Sequence, residues 1–500
     1  MREYQNYVDG EWVEALSGET MDTTNPSTGE AVSRVPKGGR DDAQRAVAAA
    51  RRAFDGGEWS DMPVERRVEI VRDVANRILD KVSDIAAIET DEAGQTIRMS
   101  SLFGIPLAPE HMRAMCSTML SLPELEPLPF NNYPAVSWNL ASYEPYGVCG
   151  QIIPWNYPFI MAVWKMMPAL LTGNCVVVKP ASYTPSTALE LAKIMEEAGV
   201  PKGVVNVITG PGGAVGEELC TSAGVDKIAF TGSTEVGRRV MQMASGTVKK
   251  VTLELGGKSA SILLEDADLD VAVPGALWGT FLHAGQICES GTRLLVPSSI
   301  YDEVCERLKA VTETLKVGPA SDFDSDLGPV VSAAQLKTVM DYVQIGLKEG
   351  AKLLTGGERL TGGDYDKGYF HQPTIFVDVD NSMTIAQEEI FGPVLSVIKY
   401  DTPDQAVKIA NDSIYGLGGS VWSTDIPQAI AIARKIRTGT VWINDFHLIN
   451  GLFPFGGYKQ SGVGRELGSK GLREYQQVKH IHVDQTPRKD QKFWYMVLGV

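Results

Sequence analysis

Residues 175–210 read CVVVKPASYTPSTALELAKIMEEAGVPKGVVNVITG. The opening run Cys175 to Val178 is apolar and β-branched, as a buried strand requires. It stops at Lys179 and Pro180. Apolar positions then recur at helical spacing over 185–199, with Pro185 in the first turn and Gly199 at the end. VVNVI returns to the strand pattern. Strand, helix and strand in this order make a parallel pair, because parallel neighbours need a crossover of that length.

The alternation extends on both sides. VCGQII and the nearly all-apolar FIMAVWKMMPALL come before it; AVGEELCTS, KIAF, EVGRRVMQMA and KVTLEL come after. Five strands separated by four helices predict an α/β fold, a parallel sheet with helices on both faces. Ligands of such sheets gather at the carboxyl ends of the strands. Here those ends read PWN, KPAS, TGPGG, TGST and ELGG, all polar or glycine-rich. A second βα series begins at residue 257 with SASILL and continues through TRLLVP, TIFVDV, VLSVIKY and TVWIN. It predicts a second α/β domain. SWNLASYEPY and KHIHVD fall outside both series and read as exposed strands of a paired extension.

A chain of 500 residues accommodates two or three domains. The formal net charge of −16 argues against nucleic acid or an anionic membrane as partner. Six cysteines (116, 149, 175, 220, 288 and 305) form no C-x-x-C pair, which points to a reducing, cytoplasmic setting without a disulfide framework. The six histidines form no metal-ligand cluster, and His480 and His482 read as residues of a surface strand. The N-terminus lacks the apolar core of a secretory signal. The run from Phe159 to Leu171 is broken by Lys165 and Pro168, so no membrane span is expected. The apolar last residues, FWYMVLGV, are too short to span a bilayer and read as packing on a partner subunit or else touching a membrane surface.

Five short stretches carry candidate chemistry. FTGSTEVG (230–237) takes a strand through a glycine turn into a helix start, exposing N–H groups suited to a pyrophosphate; the spacing is not G-x-G-x-x-G. Lys179, just past a buried strand, reads either as a ribose or phosphate contact or as a solvated loop lysine. Glu254 in VTLELGGKS is either a base with a raised pKa or a strand-end glutamate facing water. Asn156 in PWNYPF is either an oxyanion donor or a turn cap. Cys288, in FLHAGQICESGTR (281–293), is either a nucleophile or one more buried thiol.

Together, and in this order, the motifs PWNYPF, KPAS with TP, FTGSTEVG, LELGGKS, GQIC, EEIFGPV, WIN and PFGGYKQSGVGRELG resemble the aldehyde dehydrogenase superfamily over nearly the whole chain. The resemblance implies a Rossmann-like cofactor domain (1–122 and 146–256), a catalytic domain (257–470) and a small β oligomerisation element (123–145 and 471–500) in a homodimer or homotetramer. It implies Cys288 as nucleophile, the Asn156 amide and the Cys288 N–H as oxyanion donors, Glu254 as the base that activates water, and Glu466 as a proton relay. The product is a carboxylic acid formed through a thioester. The cofactor, NAD or NADP, is expected to lie along Ile152, Pro154 and Trp155, then Lys179 and Ser182, then Gly212 and Gly216. It is further expected to touch Thr231, Gly232, Ser233 and Leu255, with Gln335 near the adenosine, and Glu389 and Phe391 at the nicotinamide ribose and ring.

Two positions depart from the family pattern. Ser182 stands where many NAD-preferring members carry Glu, removing a carboxylate that repels a 2′-phosphate, so NADP is expected to be tolerated. His283 stands where the cysteine loop commonly carries Asn, and is expected to alter loop support. The expected aldehyde tunnel comprises Tyr157, Met161 and Trp164, then Ile287 and Glu289, then Leu448, Ile449 and Phe455. It holds no cation and favours an apolar aldehyde, aromatic or medium-chain; Glu289 and the aromatics leave a cationic aminoaldehyde of the betaine aldehyde type as the alternative. A CoA-acylating enzyme would have no use for Glu254. A cofactor-free thiol esterase would leave Lys179, Ser233 and Glu389 idle.

Overall fold

The computed structural model describes residues 1–133 and 135–499; Pro134 and Val500, both within the segments expected to form the oligomerisation element, lie outside the described residues. Val148–Ile152 pairs in parallel with Cys175–Lys179 on one side and Lys227–Thr231 on the other. Val205–Val207 lies beyond the former and Lys250–Glu254 beyond the latter. The chain thus lays three strands outward, then returns past the first to lay two more, the doubly wound order. The reversal opens a crevice at the carboxyl ends of Val148–Ile152 and Lys227–Thr231. Cys175–Lys179 and Lys227–Thr231 are buried throughout, as strands covered on both faces must be. Helix Pro158–Leu171 is buried at every position, Lys165 included.

Asn6–Val8 and Glu11–Val13 extend one edge of this sheet. Gly462–Val463, from the far end of the chain, extends the other beside Lys250–Glu254. That pairing brings the residues around 466 to the strand ends where Glu254 sits. The second sheet has seven strands, with Ala260–Leu263 between Arg293–Pro297 and Gly419–Trp422; Lys352–Thr355, at one edge, is the antiparallel strand. One apolar core surrounds the first sheet, and two smaller ones cover the faces of the second.

The paired extension is present. Ser137–Pro145 runs antiparallel to Gln476–Asp484, from Gln476 opposite Pro145 to Asp484 opposite Ser137. A third strand, Leu125–Asn131, was not expected, because Pro127 and Pro129 each remove a ladder donor. It survives at the edge of the sheet, where one side of the strand needs no partner. The apolar C-terminal run forms the short helix Phe493–Leu498, with Phe493, Trp494, Val497 and Leu498 exposed. Among the described residues no helix is long and apolar enough to cross a membrane.

Candidate active site

Cys288 sits on a loop that few sequences could make. Helix Leu269–Phe281 ends in a tight turn in which His283, Ala284 and Gly285 have φ of 50°, 52° and 73°. Left-handed backbone costs a non-glycine residue on the order of 1 kcal/mol, so this turn is held by its surroundings. Gly285 is obligatory, because a Cβ there would collide with the Gly392 carbonyl. Gln286 pins the loop by donating to the His283 carbonyl at 3.1 Å and accepting from the Val331 N–H at 2.9 Å. His283 is buried, neither ring nitrogen has a hydrogen-bond partner, and its ring lies edge-on to Tyr157 at 5.3 Å. Burial pushes its pKa down to about 4, so it acts as a neutral packing group, in line with a supporting role for the loop.

The Asn156 amide donates to the Gln286 carbonyl at 2.9 Å, which aims it at the same loop. Its second N–H hydrogen is free for another acceptor. Glu254, the last residue of its strand, is buried with Oε2 unpartnered. Burial, then the Glu466 carboxylate, raises its pKa well above the usual carboxylate range. Glu466 is likewise buried and forms an ion pair with Lys165 from the helix Pro158–Leu171. The two glycines after Glu254 admit the neighbouring parts. A Cβ at Gly256 would displace the Glu389 carboxylate, and one at Gly257 would strike the Cys288 carbonyl.

Cys288 is the partly exposed thiol of the six; the other five are buried. It opens on a cavity that Asn156, Glu254, Cys288 and Glu466 all line. Seven of the eight expected tunnel residues line it: Tyr157, Met161, Trp164, Ile287, Glu289, Ile449 and Phe455. Leu448 does not. It is 57% exposed, since the preceding His447, at φ 66°, turns the chain so that His447 faces inward instead. Sequence reasoning also missed Met99, Phe103 and Leu107, which line the cavity from around the π-turn Ser100–Gly104. Such turns inside helices recur at functional sites, but no local signal sets these side chains apart from ordinary core. Trp164 is fixed by donating to His111 Nδ1 at 2.9 Å, and His111 Nε2 donates in turn to the Ile449 carbonyl at 3.2 Å.

A second groove is lined by Ile152, Gly212 and Gly216 together with Phe230, Val236, Val240 and Met243. Ser233 caps the helix Thr234–Ala244 by accepting from the Val236 N–H at 3.3 Å, leaving the helix N-terminus at the crevice. Lys179 is buried and donates to the Pro180 carbonyl at 2.9 Å; burial lowers its pKa to about 8. Ser182 donates to the Gly210 carbonyl at 3.1 Å. At the other end Glu389 accepts from the Gly257 N–H at 3.1 Å, and burial pushes it up to about 7. Phe391 meets Trp155 edge-on at 5.2 Å. An apolar slot, a helix N-terminus and a terminal carboxylate in sequence fit a dinucleotide. Gln335 differs from expectation: its amide donates to the carbonyls of Ile390 and Phe391 at 3.1 and 2.9 Å, which supports the Phe391 turn.

The profile of the Aldehyde dehydrogenase family matches residues 12–481. A betaine aldehyde dehydrogenase of Bacillus subtilis (strain 168) is 44% identical over 483 residues, covering 96% of this chain and 97% of that protein. The crystal structure of a betaine aldehyde dehydrogenase from Staphylococcus aureus in complex with NAD+ superposes with a TM-score of 0.94 at 41% identity, covering 98% of this chain and 96% of that one. A double mutant of the same S. aureus enzyme, with NAD+ and a β-mercaptoethanol-modified cysteine, is 41% identical with a TM-score of 0.94, covering 97% of each chain. Family profile, relatives and architecture agree over almost the full length, and the chain belongs to the aldehyde dehydrogenase family.

Proposed function

We propose that this enzyme oxidises an aldehyde to a carboxylic acid by hydrolytic covalent catalysis at Cys288, using NAD(P)+. The observation that carries the reading is that Cys288, Asn156, Glu254 and Glu466 all line one predominantly apolar cavity. The Cys288 thiolate attacks the aldehyde carbon, and the oxyanion is held by the free Asn156 N–H and the Cys288 backbone N–H. When bound, the nicotinamide supplies the hydride acceptor that turns this thiohemiacetal into a thioester. Glu254 then takes a proton from water, which attacks the thioester and releases the acid. Glu466, next to it, takes up that proton in turn.

The groove residues assign the cofactor contacts: Ile152, Gly212 and Gly216 at the adenine, Lys179 and Ser182 at its ribose, Ser233 at the pyrophosphate, and Glu389 and Phe391 at the nicotinamide. The S. aureus enzyme is itself solved in complex with NAD+, which supports a nicotinamide dinucleotide as the cofactor. Ser182 carries no charge, so both cofactors are accepted. Ser182→Glu is expected to lower kcat/KM for NADP+ about tenfold or more relative to NAD+, since about 1.4 kcal/mol of repulsion is a factor of ten. Steady-state kinetics with each cofactor check this, and an unchanged ratio would remove Ser182 from the cofactor site.

The substrate is an apolar aldehyde, because Met99, Phe103, Met161, Trp164, Ile449 and Phe455 dominate the cavity and no lysine or arginine lines it. A second reading, a quaternary ammonium aldehyde, is favoured by the 44%-identical betaine aldehyde dehydrogenase and by the aromatic faces, which attract cations. Turnover of benzaldehyde, hexanal, betaine aldehyde and succinate semialdehyde separates the readings. A kcat/KM for succinate semialdehyde above the other three would overturn both. The three-part division of the chain at 122, 146, 257 and 470, a cytoplasmic setting, and assembly as a dimer or tetramer through the exposed strands and apolar C-terminus complete the proposal.

A further inference from the structure

The sulfur of Cys288 has a partner that the hydrolytic mechanism does not use. Its thiol donates to Glu289 Oε2 at 3.1 Å, and Glu289 Oε1 lies 3.1 Å from His447 Nδ1. The other His447 nitrogen, Nε2, lies 3.1 Å from the Gly279 carbonyl, so both ring nitrogens face oxygen acceptors. A ring nitrogen that carries hydrogen donates to the oxygen it faces, so the ring is held from both ends. Both side chains are buried, at 3% and 6% exposure, and the His447 ring is further clamped by edge contacts with Trp278 and Phe446. The Glu289 carboxylate is therefore fixed against the thiol rather than swinging in solvent.

A carboxylate so placed favours the protonated thiol twice over. It accepts the S–H hydrogen bond, which the thiolate cannot offer, and its charge repels a developing thiolate. The other titratable groups that face the sulfur, Glu389, Glu254 and Tyr157, supply no positive charge. Burial, and Glu289 next, push the thiol well above its ordinary pKa. Burial works to raise Glu289 as well, but the hydrogen bond and charge of His447, with the thiol, hold it below the usual carboxylate range.

We infer that Glu289, anchored by His447, is a positioning residue that latches Cys288 in its protonated, poorly nucleophilic form in the free enzyme. The proton stays on sulfur at rest. When the latch opens the S–H bond breaks, its electron pair stays on sulfur, and the proton passes to Glu289 or to water, leaving the thiolate for attack on an aldehyde. The latch also shields the thiol from alkylation and oxidation, both of which proceed through the thiolate. The inference rests on Cys288 being the nucleophile, yet its test needs neither turnover nor cofactor.

The experiment follows the rate of Cys288 alkylation by iodoacetamide from pH 6 to 10 in the full-length, cofactor-free enzyme, with the site of modification read by mass spectrometry. In Glu289→Gln the midpoint of the rate profile is expected to fall by about one pH unit or more, with alkylation at pH 7 rising about tenfold. If that variant does not fold, Glu289→Asp draws the carboxylate back by one methylene and is expected to shift the midpoint in the same direction by less. A purely structural role would change stability without moving the midpoint. A midpoint equal to or above that of the wild type in a folded variant overturns the latch. Loss of aldehyde turnover with a lowered midpoint leaves the latch standing and counts against the hydrolytic reading alone.

Discussion

Cys288→Ala is expected to lose aldehyde-dependent NAD(P)H formation by a factor on the order of 10⁴ or more, because no other group can form the thioester. The other five thiols are no substitute. All five are buried, out of reach of an aldehyde, and burial pushes Cys116, Cys149, Cys175 and Cys220 up to about 12 and Cys305 to about 11. The substitution removes one sulfur atom from a half-buried position, and the loop keeps its pins at Gln286 and Gly285. The thermal midpoint should therefore correspond to a stability change within about 1 kcal/mol of wild type. Cofactor binding, followed by quenching of tryptophan fluorescence with Trp155 at the site, is expected to persist. Retention of turnover would end the covalent mechanism. Loss of turnover together with loss of the fold would leave stability, not chemistry, as the cause, and the melting curve distinguishes the two.

Which cysteine mattered was legible in the sequence only through the motifs around it. Cys175 lies in an apolar run and Cys288 in a polar one, but Cys220 and Cys305 lie beside polar residues too and are buried. What separates Cys288 is the left-handed turn at residues 283–285, and two of those three residues are not glycine. Nothing in local propensity announces such a turn, since tertiary packing enforces it. The five-strand alternation was legible because strands buried on both faces must be apolar throughout, and the helices between them must be amphipathic or buried. The edge strand Leu125–Asn131 was not, because two prolines contradict strand propensity everywhere except at an edge, and an edge is a property of the assembled sheet.

The tunnel shows the same division. Met161 and Trp164 lie on one helix, capped by Tyr157, whose register follows from PWNYPF, and Ile287 and Glu289 flank the cysteine. Leu448 failed by a single position. A positive φ at His447 inverted the two neighbours, placing a histidine inside and a leucine outside. Met99, Phe103 and Leu107 come from a helix some fifty residues before the first motif, and only the fold brings that helix over Cys288. Gln335 spends its amide on the carbonyls of Ile390 and Phe391, a use that a polar side chain near a cofactor groove does not announce in sequence.

Glu254→Gln is expected to separate the two halves of the reaction. Acylation needs Cys288 and Asn156, which the substitution leaves in place, so a stoichiometric burst of NAD(P)H should survive. Deacylation needs a base, and steady-state turnover should fall by a factor on the order of 10² to 10⁴. The acyl-enzyme then accumulates, and intact-mass measurement after one turnover should show Cys288 carrying the acyl group. Glutamine keeps the shape of the buried Glu254, so the fold is not at stake. In the wild type, burial and the neighbouring Glu466 raise the Glu254 pKa, so the carboxyl holds its proton to a higher pH than a solvated glutamate. A base works only in its deprotonated form. Deacylation-limited kcat should therefore be low in acid and rise with pH through that elevated pKa, and the rising limb should vanish in Glu254→Gln. Had the carboxylate instead been exposed and unperturbed, the limb would lie near a pH of about 4.3 and neutral solution would show a plateau. A limb displaced above that range belongs to the buried geometry, because burial and the neighbouring Glu466 carboxylate hold the proton on Glu254 against the opposing charges of Lys165 and Arg465.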